Sequence, residues 1–184
     1  MSKQAAQNTT NQITEGVIWK QLLIFFFPIL FGTFFQQLYN TADAIIVGNF
    51  VGKEALASVG GSASTIINLL VGFCVGLSSG ATVIISQYYG ADNRRRVSDS
   101  VHTAIALAIA GGVVIMLIGL VSARFALTAM GTPDDILSLS LTYMKIYYLG
   151  TIPSMIYNMG SGILRAVGDS KRPLYFLIAS CLVN

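Results

Sequence analysis

The sequence predicts an all-α integral membrane protein of four complete spans and part of a fifth, and three observations carry that prediction. Hydrophobic residues make up 54% of the 184 and charged ones only 10%, with a mean hydropathy of +0.68; such a chain has lipid as its main solvent. Charge-free stretches recur along it. Only Asp43 is charged between Lys20 and Lys53, and residues 55–91, 100–123 and 146–164 contain no Asp, Glu, Lys or Arg. Each stretch can cross once, because a hydrocarbon core about 30 Å thick takes about 20 helical residues. Membrane strands are excluded, since no ten-residue segments of alternating hydrophobicity occur.

The elements follow in chain order. Met1 to Gln12 is polar and lacks the apolar region and small-residue cleavage site of a signal peptide, so residues 1–13 read as a polar arm and 14–184 as the helical region. Helices are expected over about 17–47, 64–88, 100–121 and 141–164, with a fifth over 174–184. The small polar run Ser58-Val59-Gly60-Gly61-Ser62 extends the second helix outward. Gly72, Gly76 and Gly80 recur every four residues and predict a packing face against another helix. The last segment supplies about 16 Å of helix, half the hydrocarbon thickness. A chain end there leaves carbonyls and a carboxylate unsatisfied in lipid, so the expectation is a truncated chain whose parent continues through further apolar segments.

Basic residues set the topology. Lys3 and Lys20 precede the first helix, Arg94-Arg95-Arg96 lie between the second and third, and Arg165, Lys171 and Arg172 between the fourth and fifth. The other side has Lys53 and Arg124 offset by Glu54, Asp134 and Asp135. The positive-inside rule then places the N-terminus in the cytoplasm. The net charge of +3 reflects that topology and anionic headgroups, and no basic and aromatic interleaving of the nucleic-acid-binding kind occurs.

Asp43 is the first functional candidate. A carboxylate in hydrocarbon costs about 2.5 to 3.5 kcal/mol on insertion scales, so it persists where it faces a cavity, a partner or a transported ion; the bland alternative is a buried acid serving helix packing. Tyr39 and Gln36 precede it by four and seven residues and share its face, with Asn40 beside them. Pro28, about four turns below, lacks an N–H and is either a static kink or a hinge. On the second helix Thr65 and Asn68 are cavity-lining candidates, although interhelical hydrogen bonding explains them equally. Tyr143, Tyr147 and Tyr148 are expected in an interfacial aromatic belt. Cys74 and Cys181 read as small hydrophobes without metal spacing, and the lone His102 as a headgroup-level residue. Neither Ser78 nor Ser79 has an intramembrane His partner, so an enzyme is not expected.

These residues carry a resemblance. The run Tyr39-Asn40-Thr41-Ala42-Asp43-Ala44-Ile45-Ile46-Val47-Gly48 followed by Gly52-Lys53-Glu54-Ala55-Leu56-Ala57 resembles the first helix and loop of the multidrug and toxic compound extrusion (MATE) transporters. Gln87-Tyr88-Tyr89-Gly90-Ala91 with the basic run after it is similar to the family's turn after helix two. Leu164-Arg165-Ala166-Val167-Gly168-Asp169-Ser170-Lys171-Arg172-Pro173 is similar to its turn before helix five. The Asn-Thr-Ala-Asp version of helix one looks most like the bacterial branch related to the DNA-damage-inducible DinF proteins. The similarity runs from Thr14 onward.

The resemblance implies the N-terminal part, about four and a half helices, of a two-lobe, twelve-helix MATE-type transporter in the bacterial plasma membrane. It implies export of organic cations and drugs in exchange for Na⁺ or H⁺, no other cofactor, and a monomer once the remaining helices are present. The family's lobe acid maps onto Asp43, its nearby tyrosine onto Tyr39 and its bending proline onto Pro28. The asparagine of its cavity network maps onto Asn158. Its helix-five asparagine maps onto Asn184, which with Asp43 is the candidate Na⁺ ligand set. Two other readings stay open: a flippase of lipid-linked precursors, which needs a cationic cavity although no Arg or Lys lies mid-span, and a fragment with no activity of its own.

Overall fold

Apolar periodicity and length produce helices throughout residues 17–183, which are the residues described by the computed structural model. Helix α1 spans Ile18–Ile46 and runs without interruption through Pro28. It passes into a π-helical turn, Val47–Val51, closed by a bond from the Gly52 N–H to the Val47 carbonyl. Gly52 takes φ 112°, a left-handed value that needs glycine, and this lets α2 (Lys53–Gly60) start in a new direction. Then follow α3 (Ser62–Gly90), α4 (Arg94–Ala129), α5 (Asp134–Leu149), α6 (Thr151–Ala166) and α7 (Lys171–Val183). The Asn93 side chain accepts from the Arg96 N–H at 3.2 Å and caps α4.

Two expectations about the spans change. The third helix, expected over 100–121, is 36 residues long and runs over Arg94–Ala129. At about 1.5 Å per residue it overreaches the hydrocarbon at both ends, which is why its terminal turns hold Arg94 to Arg96 and Arg124. The fourth, expected as one helix over 141–164, is two helices that meet at Gly150. Pro153 has no N–H to give the Leu149 carbonyl, so the ladder breaks there, while the Gly150 N–H still reaches Ile146 and the Ser154 N–H reaches Gly150.

Packing divides the helices into two groups. α3, α4, α5 and α6 pack on one another, and α1 packs chiefly on α7. The core of the first group has two parts: Cys74, Ile85, Ala104, Ala108, Met155 and Met159 in one, and Ala63, Ala123, Leu127, Met144 and Tyr148 in the other. Small residues at 104, 108, 112, 119 and 123 make one buried stripe along α4, so the neighbouring helices approach closely. The Ser140 hydroxyl donates to the Ser58 carbonyl at 3.3 Å and ties α5 to α2.

The glycines that permit close approach are not those the sequence pattern pointed to. Gly72, Gly76 and Gly80 face open space in the described chain, because the buried face of α3 is the one holding Ala63, Ile67, Cys74, Ser78 and Ile85. Close approach occurs instead at Gly112, Gly119 and Gly162. A Cβ on Gly119 would lie 2.1 Å from Tyr148 Cε1 and 2.2 Å from its Cδ1. Gly119→Ala is therefore expected to destabilise the protein by about 1 to 3 kcal/mol, since the ring must leave a well-packed position; thermal unfolding in detergent, compared with that of Gly119→Ala combined with Tyr148→Leu, checks this.

The aromatic belt is corrected as well. Tyr148 is 8% exposed and packs into the core against Gly119. Tyr143 and Tyr147, four residues apart on a different face of α5, lie with ring centroids 6.4 Å apart and planes tilted by 53°, and Tyr147 borders a partly open cavity.

Candidate functional site

Between the two helix groups lies a cavity of ≈ 340 Å³. α1 contributes Pro28, Gly32, Thr33 and Gln36, α3 contributes Val71 and Val75, and α5 contributes Tyr147. The remaining wall comes from Ser154, Tyr157, Asn158, Ser161 and Arg165 of α6 and from Ser170, Pro173, Leu174 and Leu177 at the start of α7. One wall is thus polar and the other largely apolar, as small-molecule sites commonly are.

Three of the residues singled out from the sequence meet here: Pro28, Gln36 and Asn158. Asn158 is half-buried; its side-chain N–H donates to the Ser154 carbonyl at 2.9 Å, and its own carbonyl accepts from the Ser78 hydroxyl at 2.7 Å. Ser78 therefore positions the α6 backbone beside the cavity. Tyr39 lies one turn beyond Gln36 and borders a neighbouring open depression with Ala179, Ser180 and Val183 of α7.

Asp43 lies one turn further along α1 and is half-buried. Its carboxylate is in electrostatic reach of the Tyr39 hydroxyl and of Tyr143 on α5. The acid thus lies on α1, the helix that packs on α7, within electrostatic reach of α5. Tyr143 belongs to this group although its sequence position gave no sign of it; only the fold of α5 back toward α1 brings it there. Asn40 is exposed and its side-chain N–H approaches the Gln37 amide oxygen at 3.4 Å. Thr65 and Asn68 are exposed on α3 and do not border the cavity; the Asn68 amide donates to the Ser64 hydroxyl at 3.4 Å. Asn184 lies outside the described residues.

Helices of this length and apolarity define the class first. Trp19–Val51, Lys53–Gly90 and Arg94–Ala129 are each long and apolar enough to cross a bilayer, which makes this a multi-pass membrane protein. The MatE family model matches residues 28–184, and the chain belongs to that family, which is one of transporters rather than enzymes. It is similar to "Probable multidrug resistance protein YoeA" of Bacillus subtilis (strain 168), 31% identical over 175 residues that cover 95% of this chain and 38% of that protein. Among solved structures it is similar to a MOP superfamily transporter from Pyrococcus furiosus Vc1 (DSM3638), at TM-score 0.87 and 26% identity, covering 94% of this chain and 38% of the other. A MATE transporter in a straight conformation superposes at TM-score 0.86 and 26% identity with the same coverage. The chain thus spans about 38% of the length of the proteins it matches and has the fold of the N-terminal part of a two-lobe MATE transporter.

Proposed function

We propose that this chain forms the ion- and cargo-handling part of a secondary exporter that exchanges organic cations for Na⁺ or H⁺ across the plasma membrane. The observation that supports this reading most directly is Asp43, a half-buried carboxylate and the only charge between Lys20 and Lys53, in electrostatic reach of Tyr39 and Tyr143 and two turns past a polar-walled cavity. A single carboxylate holds a proton, Na⁺ or a drug cation, each excluding the others, and that competition is a sufficient basis for antiport. Asn184 is the second proposed Na⁺ ligand. Proton or ion binding at Asp43 changes what Tyr39 is held by, and so biases α1 between two shapes about Pro28. The N-terminus is cytoplasmic in this reading, and the complete transporter is a monomer.

The test is efflux of a fluorescent organic cation from vesicles holding the protein at its full natural length, with Na⁺ and pH gradients imposed separately. Export driven by one gradient and insensitive to the other is the expected result and names the coupling ion. Export indifferent to both, or none under either, sinks the antiport reading.

A further inference from the structure

The cavity has a charge of the opposite sign to the one just assigned a role. Arg165 borders it, and among the described residues no carboxylate lies within salt-bridge distance of its guanidinium. The nearest acid in sequence, Asp169, is engaged elsewhere: it pairs with Arg172 at 3.0 Å and accepts from the N–H groups of Lys171 and Arg172 at 3.1 Å each. Arg165 Nε donates back to the Ser161 carbonyl at 3.2 Å. That bond fixes the side chain against α6 while a guanidinium carries further N–H donors in a rigid fork. Ser161, one turn before Arg165, and Ser170 border the same cavity, Asn158 and Ser154 border it two and three turns before Arg165 along α6, and none of the cavity-bordering residues is acidic.

A planar cation in a cavity that Ser161 and Ser170 also border, and whose lining includes Pro28, Leu174 and Leu177, matches one ligand chemistry. We propose that the Arg165 end of this cavity is an oxyanion subsite that takes the carboxylate of a zwitterionic, aromatic-bodied cargo, or equally the phosphodiester of an anionic lipid. It is a station separate from Asp43. Gln36, the cavity residue closest to Asp43 along α1, precedes it by seven residues, or about 10 Å of helix. Where the oxyanion is the cargo's own, the cargo class named in the export reading narrows to molecules that carry an acidic group as well as a cation. This rests on the cavity being part of a cargo path and not on Asp43 being the coupling acid.

The test measures binding by fluorescence anisotropy to the protein at full natural length in phosphatidylcholine nanodiscs. The probes are rhodamine B, which carries a carboxylate, and its ethyl ester, which has the same cationic body without one. Wild type is expected to bind the acid about tenfold more tightly, the scale of a charge-assisted hydrogen-bonded pair, with benzoate displacing the acid more readily than the ester. Arg165→Gln brings the acid down to the affinity of the ester, and Arg165→Lys retains part of the difference because it keeps charge without the fork. Should Arg165→Gln fail to fold, the Lys variant and the benzoate competition still decide. Replacing part of the lipid by phosphatidylglycerol separates the two sources: a fall in acid affinity in wild type assigns the subsite to the lipid phosphodiester, and none assigns it to cargo. Equal affinity for both dyes in wild type, or a preference that survives Arg165→Gln, overturns the subsite alone. Wild type that binds neither dye overturns the export reading with it.

Discussion

Asp43→Asn in the protein at full natural length should reduce ion-driven efflux of a fluorescent organic cation to the level of empty vesicles, with folding intact. Asparagine matches aspartate in size and keeps a side-chain oxygen able to accept from a neighbouring hydroxyl, so the packing around position 43 is kept. What it loses is the ability to carry a charge that a proton, Na⁺ or cargo cation can neutralise. Relieved of the cost of about 2.5 to 3.5 kcal/mol that insertion scales give a charge at this depth, the variant should be no less stable than wild type. Efflux assay, circular dichroism and elution in detergent together separate the outcomes. Lost efflux with an unaltered spectrum supports the coupling role. Retained efflux with unchanged ion dependence removes Asp43 from it, and a variant that unfolds assigns the acid to packing.

Much of the architecture was legible in the sequence because the lipid solvent imposes a simple rule, and charge-free stretches mark the spans. Boundaries were less so. Residues 94–99 and 124–129 continue α4 into headgroup and water, where hydropathy no longer reports helix. The break at Gly150 has a local cause, the missing N–H of Pro153, yet the charge-free run 146–164 passed straight over it.

The site shows the same division. Helical spacing correctly put Gln36, Tyr39 and Asp43 on neighbouring turns, since they share one helix. The contributions of Tyr143, Tyr147 and Arg165 depend on how α5 and α6 return past α1, which no periodicity records. Glycine spacing leaves the partner open for a related reason. A four-residue repeat says that one face is smooth but not which neighbour meets it, and Gly72, Gly76 and Gly80 meet none among the described residues, whereas the isolated Gly162 fits against two hydroxyls.

Gly162 is where the fold and the cavity wall are joined, and Gly162→Ala is expected to lower stability by about 2 to 4 kcal/mol. A Cβ there would lie 2.4 Å from the Ser78 hydroxyl oxygen, 2.6 Å from that of Thr82 and 3.3 Å from the Ser78 carbonyl oxygen. Two costs combine. Overpacking a close helix crossing forces side chains off their rotamers and the backbones apart, at about 1 to 3 kcal/mol, and displacing Ser78 breaks its 2.7 Å bond to the Asn158 carbonyl, at about 1 kcal/mol. Thermal unfolding of the detergent-solubilised protein measures the sum, and Ser78→Ala added to Gly162→Ala should recover part of the loss by removing the nearest obstructing atom. If the single variant melts with wild type, or the second substitution recovers nothing, α3 and α6 do not approach as closely as the bond from Ser78 to Asn158 requires. The polar wall that presents Asn158 and Arg165 would then be held by something other than this crossing.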